Sequence, residues 1–261
     1  MESAMNSLLM KKHLGGMYWS PQAVKLSIPY FGDTFKCAMV FKKNLAEITW
    51  NSLRTLEKNP TTLPQTQTIL AGQSVGGLSV TDLLQVKNYG DGARFLTDKL
   101  RTNTFVFDKK TLCDIHRFTG KEDALTWGSF RTGAVTIQGS QYNPPPHEVL
   151  ESLANDGFAF LNNEVLNPKE RAIASFLFLS RSQFFFDANK RTASLVMNGI
   201  LASNGYLPIT FLSKRSDIFH KELGAFYESG NADALFSYFS ELVQGMYSDL
   251  PKEELQKDPF G

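Results

Sequence analysis

Only two cysteines, Cys37 and Cys113, occur in 261 residues. They are too few and too widely spaced for a disulfide framework or a zinc cluster, and two unpaired thiols fit a reducing, cytoplasmic setting. An excess of one charge is also lacking: 27 Lys+Arg against 26 Asp+Glu leave a net charge of +1. That balance argues against a surface that coats nucleic acid. No stretch approaches the roughly 18 apolar residues of a membrane span. The opening MESAMNSLLMKKHLGG has neither the sustained apolar core nor the small-residue cleavage site of a secretory signal. Internal repeats and low-complexity tracts are missing as well. What is abundant is phenylalanine, 21 residues, which points to a tightly packed core in a chain long enough for one full domain.

Helical periodicity dominates the chain. The spacing predicts helices over Thr34–Glu57, from Ser79 and Asp82 through Ala93–Leu100, and over Lys109–Phe118, Glu170–Arg181, 190–204, Lys214–Tyr227 and Asn231–Tyr247. Gly76-Gly77 interrupts the chain before the second of these, and Asn204-Gly205 stops the 190–204 helix. Residues 1–33 carry Pro21, Pro29 and Gly32 and read as an irregular arm over the surface. The charged, proline-bearing tail 248–261 is expected to fray. Gly128–Pro146 differs: GSFRTGAVTIQGSQYNPPP alternates around Val135-Thr136-Ile137 between glycines, as a short β-hairpin would. His116 sits among apolar neighbours on its helix and reads as a structural histidine. Of the four histidines, only His147 follows a site element closely in sequence.

The chain is organised around Gln183–Arg191, QFFFDANKR, a short loop between two helices. Asn189 is placed to cap the second helix, and Lys190 and Arg191 fall in its first turn, the end where the helix dipole favours anions. Free backbone N–H groups, two cations and the small Ala188 make an anion cradle. Asp187 beside it suits magnesium, which takes one or two carboxylates plus phosphate oxygens. These residues point to a nucleotide phosphate site.

QFFFDANKRTA resembles the core motif of the Fic (Fido) family, H-x-F-x-D/E-G-N-G/K-R, through Phe185, Asp187, Asn189, Lys190 and Arg191. Two further segments are similar to the same family. Gly128, Arg131, Val135, Ile137 and Gly139 fit its flap, G-x-x-R-x-x-x-V-x-I-x-G. LEKNPTTL resembles its IEGNxLTL segment, with Glu57, Asn59, Thr62 and Leu63 in place and Lys58 replacing the glycine. The resemblance covers roughly Thr34–Val243. It implies a mainly α-helical fold with a short β-hairpin flap, divided into a helical part 34–125 and a core 126–247 holding flap and motif loop. It also implies ATP or a related nucleotide at Ala188, Asn189, Lys190 and Arg191, magnesium at Asp187, and a protein target or peptide strand docked on the flap by strand addition. Glu57 becomes a candidate inhibitory residue. The departures bear on activity. Gln183 stands where the family's catalytic histidine would be, Ala188 where its first glycine would be, and Ser194 where many members carry a second arginine that would pair with Glu57. An amide is no general base near neutral pH.

The resemblance therefore implies a nucleotide-binding Fic-domain protein whose AMP transfer to protein hydroxyls is weak or absent. Two alternatives stand beside it. One is a non-catalytic Fic-like interaction or regulatory domain. The other is a phosphoryl transferase of the Doc-like branch, in which a lysine also takes the place of Lys190.

Overall fold

The computed structural model describes residues 2–247, 250 and 255–260. Among them are eleven α-helices, which make the chain 62% helical. In chain order they are α1 (Glu2–His13), α2 (Thr34–Lys43), α3 (Leu45–Glu57), α4 (Leu63–Leu70), α5 (Val80–Arg101), α6 (Lys109–Thr119), α7 (Leu150–Asn163), α8 (Pro168–Ser182), α9 (Asn189–Ser203), α10 (Ser216–Ser229) and α11 (Asp233–Met246).

Local chemistry sets several of these boundaries. Ser79 caps α5 by accepting from the Asp82 N–H, and Asp108 caps α6 through the Thr111 N–H. Asn167 caps α8, with Pro168 at its first position, where a missing N–H costs nothing. Thr62 and Gln65 form a reciprocal capping box at α4. The expected continuous helix Thr34–Glu57 is two helices. Asn44 ends α2, its backbone and side-chain N–H groups both donating to Val40 O, and then serves as N-cap of α3.

The α8–α9 hairpin lies at the centre. Both helices are buried nearly all round, the pattern of an interior helix. α9 packs against α2, α3, α5, α6 and α8, while α7 covers α8. Phenylalanine fills the space beyond, with Phe211 contacting Phe176, Phe219 and Phe239 at ring separations of 5.2, 5.1 and 5.7 Å. One continuous core links residues on both sides of position 125.

Three further expectations meet a different outcome. The arm 1–33 contains α1, and it inserts Trp19, Ile28 and Phe31 into the core, with Trp19 Nε1 donating to Glu170 at 2.7 Å. In the tail, residues 248, 249, 251–254 and 261 lie outside the described ones. Residues 255–260 are docked: Asp258 pairs with buried Lys169 and accepts from the Tyr206 hydroxyl, and Gln256 N–H donates to Tyr30 O.

The third concerns the flap, which is no β-hairpin. Residues 133–138 alternate between half-buried and exposed, but among the described residues no strand forms, only the isolated bridges Tyr18–Asn231 and Tyr30–Tyr206. The returning arm ends in Pro144-Pro145-Pro146, which lack the N–H groups a ladder needs. Buried Arg131 closes the loop in its place, donating to Gly133 O and Pro145 O.

Candidate nucleotide cleft

The loop between α8 and α9 is held in an unusual backbone conformation. Gln183 ends α8 at φ 49°, ψ 57°, and Ala188 opens α9 at φ 59°, ψ 17°. Both are left-handed, a region that costs a residue with a Cβ about 1–2 kcal/mol. The reversal drives Phe184 and Phe185 into the core and leaves the Asp187 side chain 54% exposed.

Asn189 is the first helical residue, and Ala188, one residue earlier, is the N-cap that the sequence had assigned to Asn189. The Asn189 side chain folds back instead. Its Oδ1 accepts from Phe185 N–H at 2.9 Å, and its Nδ2 donates to Phe185 O at 2.9 Å and to Gln183 Oε1 at 3.0 Å. Asn189 thus braces the loop, and the N-terminus of α9 has no side-chain cap. The Gln183 amide is tied at both ends, since its Nε2 also donates to Ser180 O at 2.6 Å.

Arg191 is 1% exposed and surrounded by carboxylates. Its Nη1 donates to Asp123 at 2.6 Å and to Thr119 O, at the end of α6, at 3.1 Å. Nη2 donates to Asp187 at 3.2 Å, and Nε lies 3.5 Å from Glu57. Burial alone would lower its pKa, but Glu57, Asp187 and Asp123 together raise it, so the guanidinium stays charged. Lys190 is more open and lies 3.9 Å from Glu57. Ser194, which leaves Glu57 without the second arginine, is buried, donates to Arg191 O and meets the Tyr89 hydroxyl at 3.1 Å. Glu57 finds its cations in Arg191 and Lys190.

These groups border a cleft of about 680 Å³, within the roughly 300–1,000 Å³ usual for small-molecule sites. Glu57 and Lys58 approach from the end of α3, Gln183, Asp187, Asn189 and Lys190 from the motif, and Ile137 and Gly139 from the flap. Buried Arg131, Ala188 and Arg191 stand behind this lining, and Val135 is not part of it. Arg131 joins flap to motif, its N–H donating to Phe184 O at 2.9 Å and its Nε to Gln183 O at 2.6 Å.

Two contributors escaped the sequence reading. Asp123, in the turn after α6, is the carboxylate nearest Arg191. His220 on α10 lines the cleft with Leu223, Gly224 and Tyr227, whereas His147 does not. Burial, Lys58 and Lys190 hold the His220 pKa below the ordinary value, favouring the neutral imidazole. The i, i+3, i+4, i+7 spacing on α10 was the only available signal for His220. Nothing in the sequence distinguished Asp123 from other surface acids.

Residues 106–201 match the family model described as Fic/DOC family. Similar curated proteins include protein adenylyltransferase Fic of Nematostella vectensis, 30% identical over 159 residues, which are 59% of this chain and 37% of that protein. Protein adenylyltransferase fic-1 of Caenorhabditis elegans is 31% identical over 163 residues, 59% of this chain and 31% of that protein. The chain thus spans about a third of the length of the curated relatives it matches. Among solved structures, C. elegans Fic-1 (residues 134–508) superposes with a TM-score of 0.70 at 20% identity, covering 95% of this chain and 72% of that one. A Fic-domain-containing signalling protein from Bacteroides thetaiotaomicron gives 0.64 at 20% identity, covering 93% and 92%. Both establish a shared helical fold. Residues 106–201 form a segment of the Fic/DOC family type.

Proposed function

We propose that this chain binds ATP or a related nucleotide in the cleft, with AMP transfer to a protein hydroxyl weak or absent in the natural sequence. The observation that carries the reading is the uncapped N-terminus of α9 opening into a cleft beside Lys190 and Asp187. Its first-turn N–H groups and Lys190 suit phosphate oxygens. Asp187 fits magnesium of the kind held by one protein carboxylate and completed by phosphates and water. When bound, that ion would offset phosphate charge.

Transfer requires a hydroxyl oxygen to attack the α-phosphorus, pyrophosphate to leave, and the hydroxyl proton to pass to a base. Gln183 occupies the position that the resemblance assigns to that base, and its amide can only hydrogen-bond. General-base catalysis contributes about 10²–10⁴-fold, so its loss leaves positioning and electrostatics to support any residual rate. Flap residues 134–137, outside any helix or strand, supply a segment on which a target strand can lie.

A non-catalytic interaction domain is the second reading, favoured by the enclosure of Arg191 among three carboxylates. Gln183→His, alone and with Ala188→Gly, separates the two. Incubated with labelled ATP and magnesium, the variants should auto-modify at least a hundredfold faster than the natural chain. Mass spectrometry then distinguishes an added AMP from the phosphate expected of Doc-like transfer. No label on either variant, despite intact folding and measurable ATP binding, removes the transferase reading.

A further inference from the structure

His116 takes no part in the motif and is not among the residues lining the cleft, yet it touches both the flap and the motif turn. It is fully buried on α6. Its Nδ1 accepts from the Gly128 N–H at 3.0 Å, at the root of the flap. Its Nε2 lies 3.1 Å from Asp187 O, in the turn that presents the proposed metal-binding carboxylate. The ring stacks on Phe185 with centroids 3.6 Å apart and planes 5° from parallel.

The partners fix the tautomer. A backbone N–H can only donate, so Nδ1 carries no proton, and a backbone carbonyl can only accept, so Nε2 carries it. Space for the ring is built in. A Cβ at position 120 would come within 2.3 Å of Nε2, and one at position 128, where φ is 73°, would press on Cys113 O at 3.0 Å. Two glycines thus accommodate one imidazole and its bond.

We infer that His116 is a positioning residue that locks the target-docking flap and the metal-facing turn into one register. This rests on reading the cleft as a nucleotide site. The second tie between these segments, from Arg131 to the carbonyls of Gln183 and Phe184, reaches the start of the loop. His116 reaches the Asp187 main chain from the flap side, while the Asp187 carboxylate is itself held by Arg191 Nη2 and the Ala188 N–H, so His116 sets the backbone from which that carboxylate projects.

The imidazole can be divided into halves. His116→Asn places an oxygen where Nδ1 stood and keeps the Gly128 bond while releasing Asp187. His116→Gln places an N–H where Nε2 stood and keeps the Asp187 bond while releasing Gly128. His116→Phe keeps only the stacking. Amide hydrogen exchange on the full chain reads each tie, and Mn²⁺·ATP titration reads the site. In the Asn variant the Ala188 amide should exchange at least tenfold faster and Mn²⁺·ATP should bind at least tenfold more weakly, with Gly128 still protected. In the Gln variant Gly128 should exchange at least tenfold faster, with Mn²⁺·ATP affinity within threefold of the natural chain. The Phe variant should show both changes. Equal effects of the Asn and Gln variants on both amides, or none, overturn the clamp. If the natural chain binds no Mn²⁺·ATP, the nucleotide reading falls, and the Gly128 and Ala188 amides still decide whether the register lock exists.

Discussion

Arg191→Ala should destabilise the fold before it says anything about ligands. The guanidinium is 1% exposed and answers Asp123 at 2.6 Å, Glu57 at 3.5 Å and the α6 carbonyl of Thr119 at 3.1 Å. Asp187 also contacts it, but is half exposed and adds little through solvent screening. Removing one partner from a buried ion pair costs about 3–5 kcal/mol, because the remaining charge is stranded. For a chain of this size each kcal/mol moves the melting temperature by about 2–4 °C, so the variant should melt about 6–20 °C lower near neutral pH. Arg191→Lys keeps a charge without the fork and should lose roughly half as much. Calorimetric melts of the three proteins near neutral pH provide the test. A loss below about 1 kcal/mol, or an Arg191→Lys variant no more stable than Arg191→Ala, would refute the assignment of Arg191 as the charged centre of this cluster.

Other expectations follow from the same geometry. Ala188→Gly, at φ 59°, and Lys58→Gly, at φ 56°, should each relieve left-handed strain and stabilise by about 1 kcal/mol, seen as a melting temperature higher by about 2–4 °C. Burial lowers the His116 pKa from 6.5 to about 4. Stability from its neutral form is therefore full above about pH 6.5 and lost as pH falls through about 4, by roughly 3 kcal/mol in all. Denaturant melts should show that slope in the natural chain and its loss in His116→Phe. Glu57→Ala should tighten Mg²⁺·ATP binding by about tenfold, about 1.4 kcal/mol, and calorimetry showing unchanged or weaker binding would count against a guarding role for Glu57.

Much of this arrangement was legible in the chain because it depends on near neighbours. Apolar spacing located α9 and α8 to within two residues, and Ser79 and Asp82 announced the start of α5. The family pattern was also informative where this chain departs from it. Lys58 and Ala188, both substituted for glycine, retain the left-handed backbone that glycine would adopt without strain. What failed to show depends on distant partners. The alternation around Val135 is real, but a strand needs a second backbone to pair with, and the proline run 144–146 cannot donate. Asn44 looked like one polar residue on a helical face, while its side chain bonds back onto α2 and its backbone stands at the N-cap of α3. Asp123 joins the site only because α6 ends against α9, a packing fact that no local spacing encodes.

The charge of the motif end reframes the anion cradle. Lys190 and Arg191 face Glu57, Asp123 and Asp187, and Lys58 borders the same cleft, so three cations stand against three carboxylates. A triphosphate approaching alone gains no net attraction while all three carboxylates stay in place. The three are not equally held. Asp123 makes a short hydrogen bond with Nη1, and Asp187 bonds Nη2 from within the loop itself. Glu57 lies furthest away, and Arg191 Nε, the atom it faces, has no hydrogen-bond partner of adequate geometry. Glu57 also borders the cleft and stands at the C-terminal end of α3, beside the strained Lys58. An orphaned buried donor costs about 1–3 kcal/mol. On the proposed nucleotide reading, a phosphate oxygen that displaced Glu57 would satisfy this donor, so the same atom that marks the imperfection of the closed arrangement also supplies part of the drive to open it.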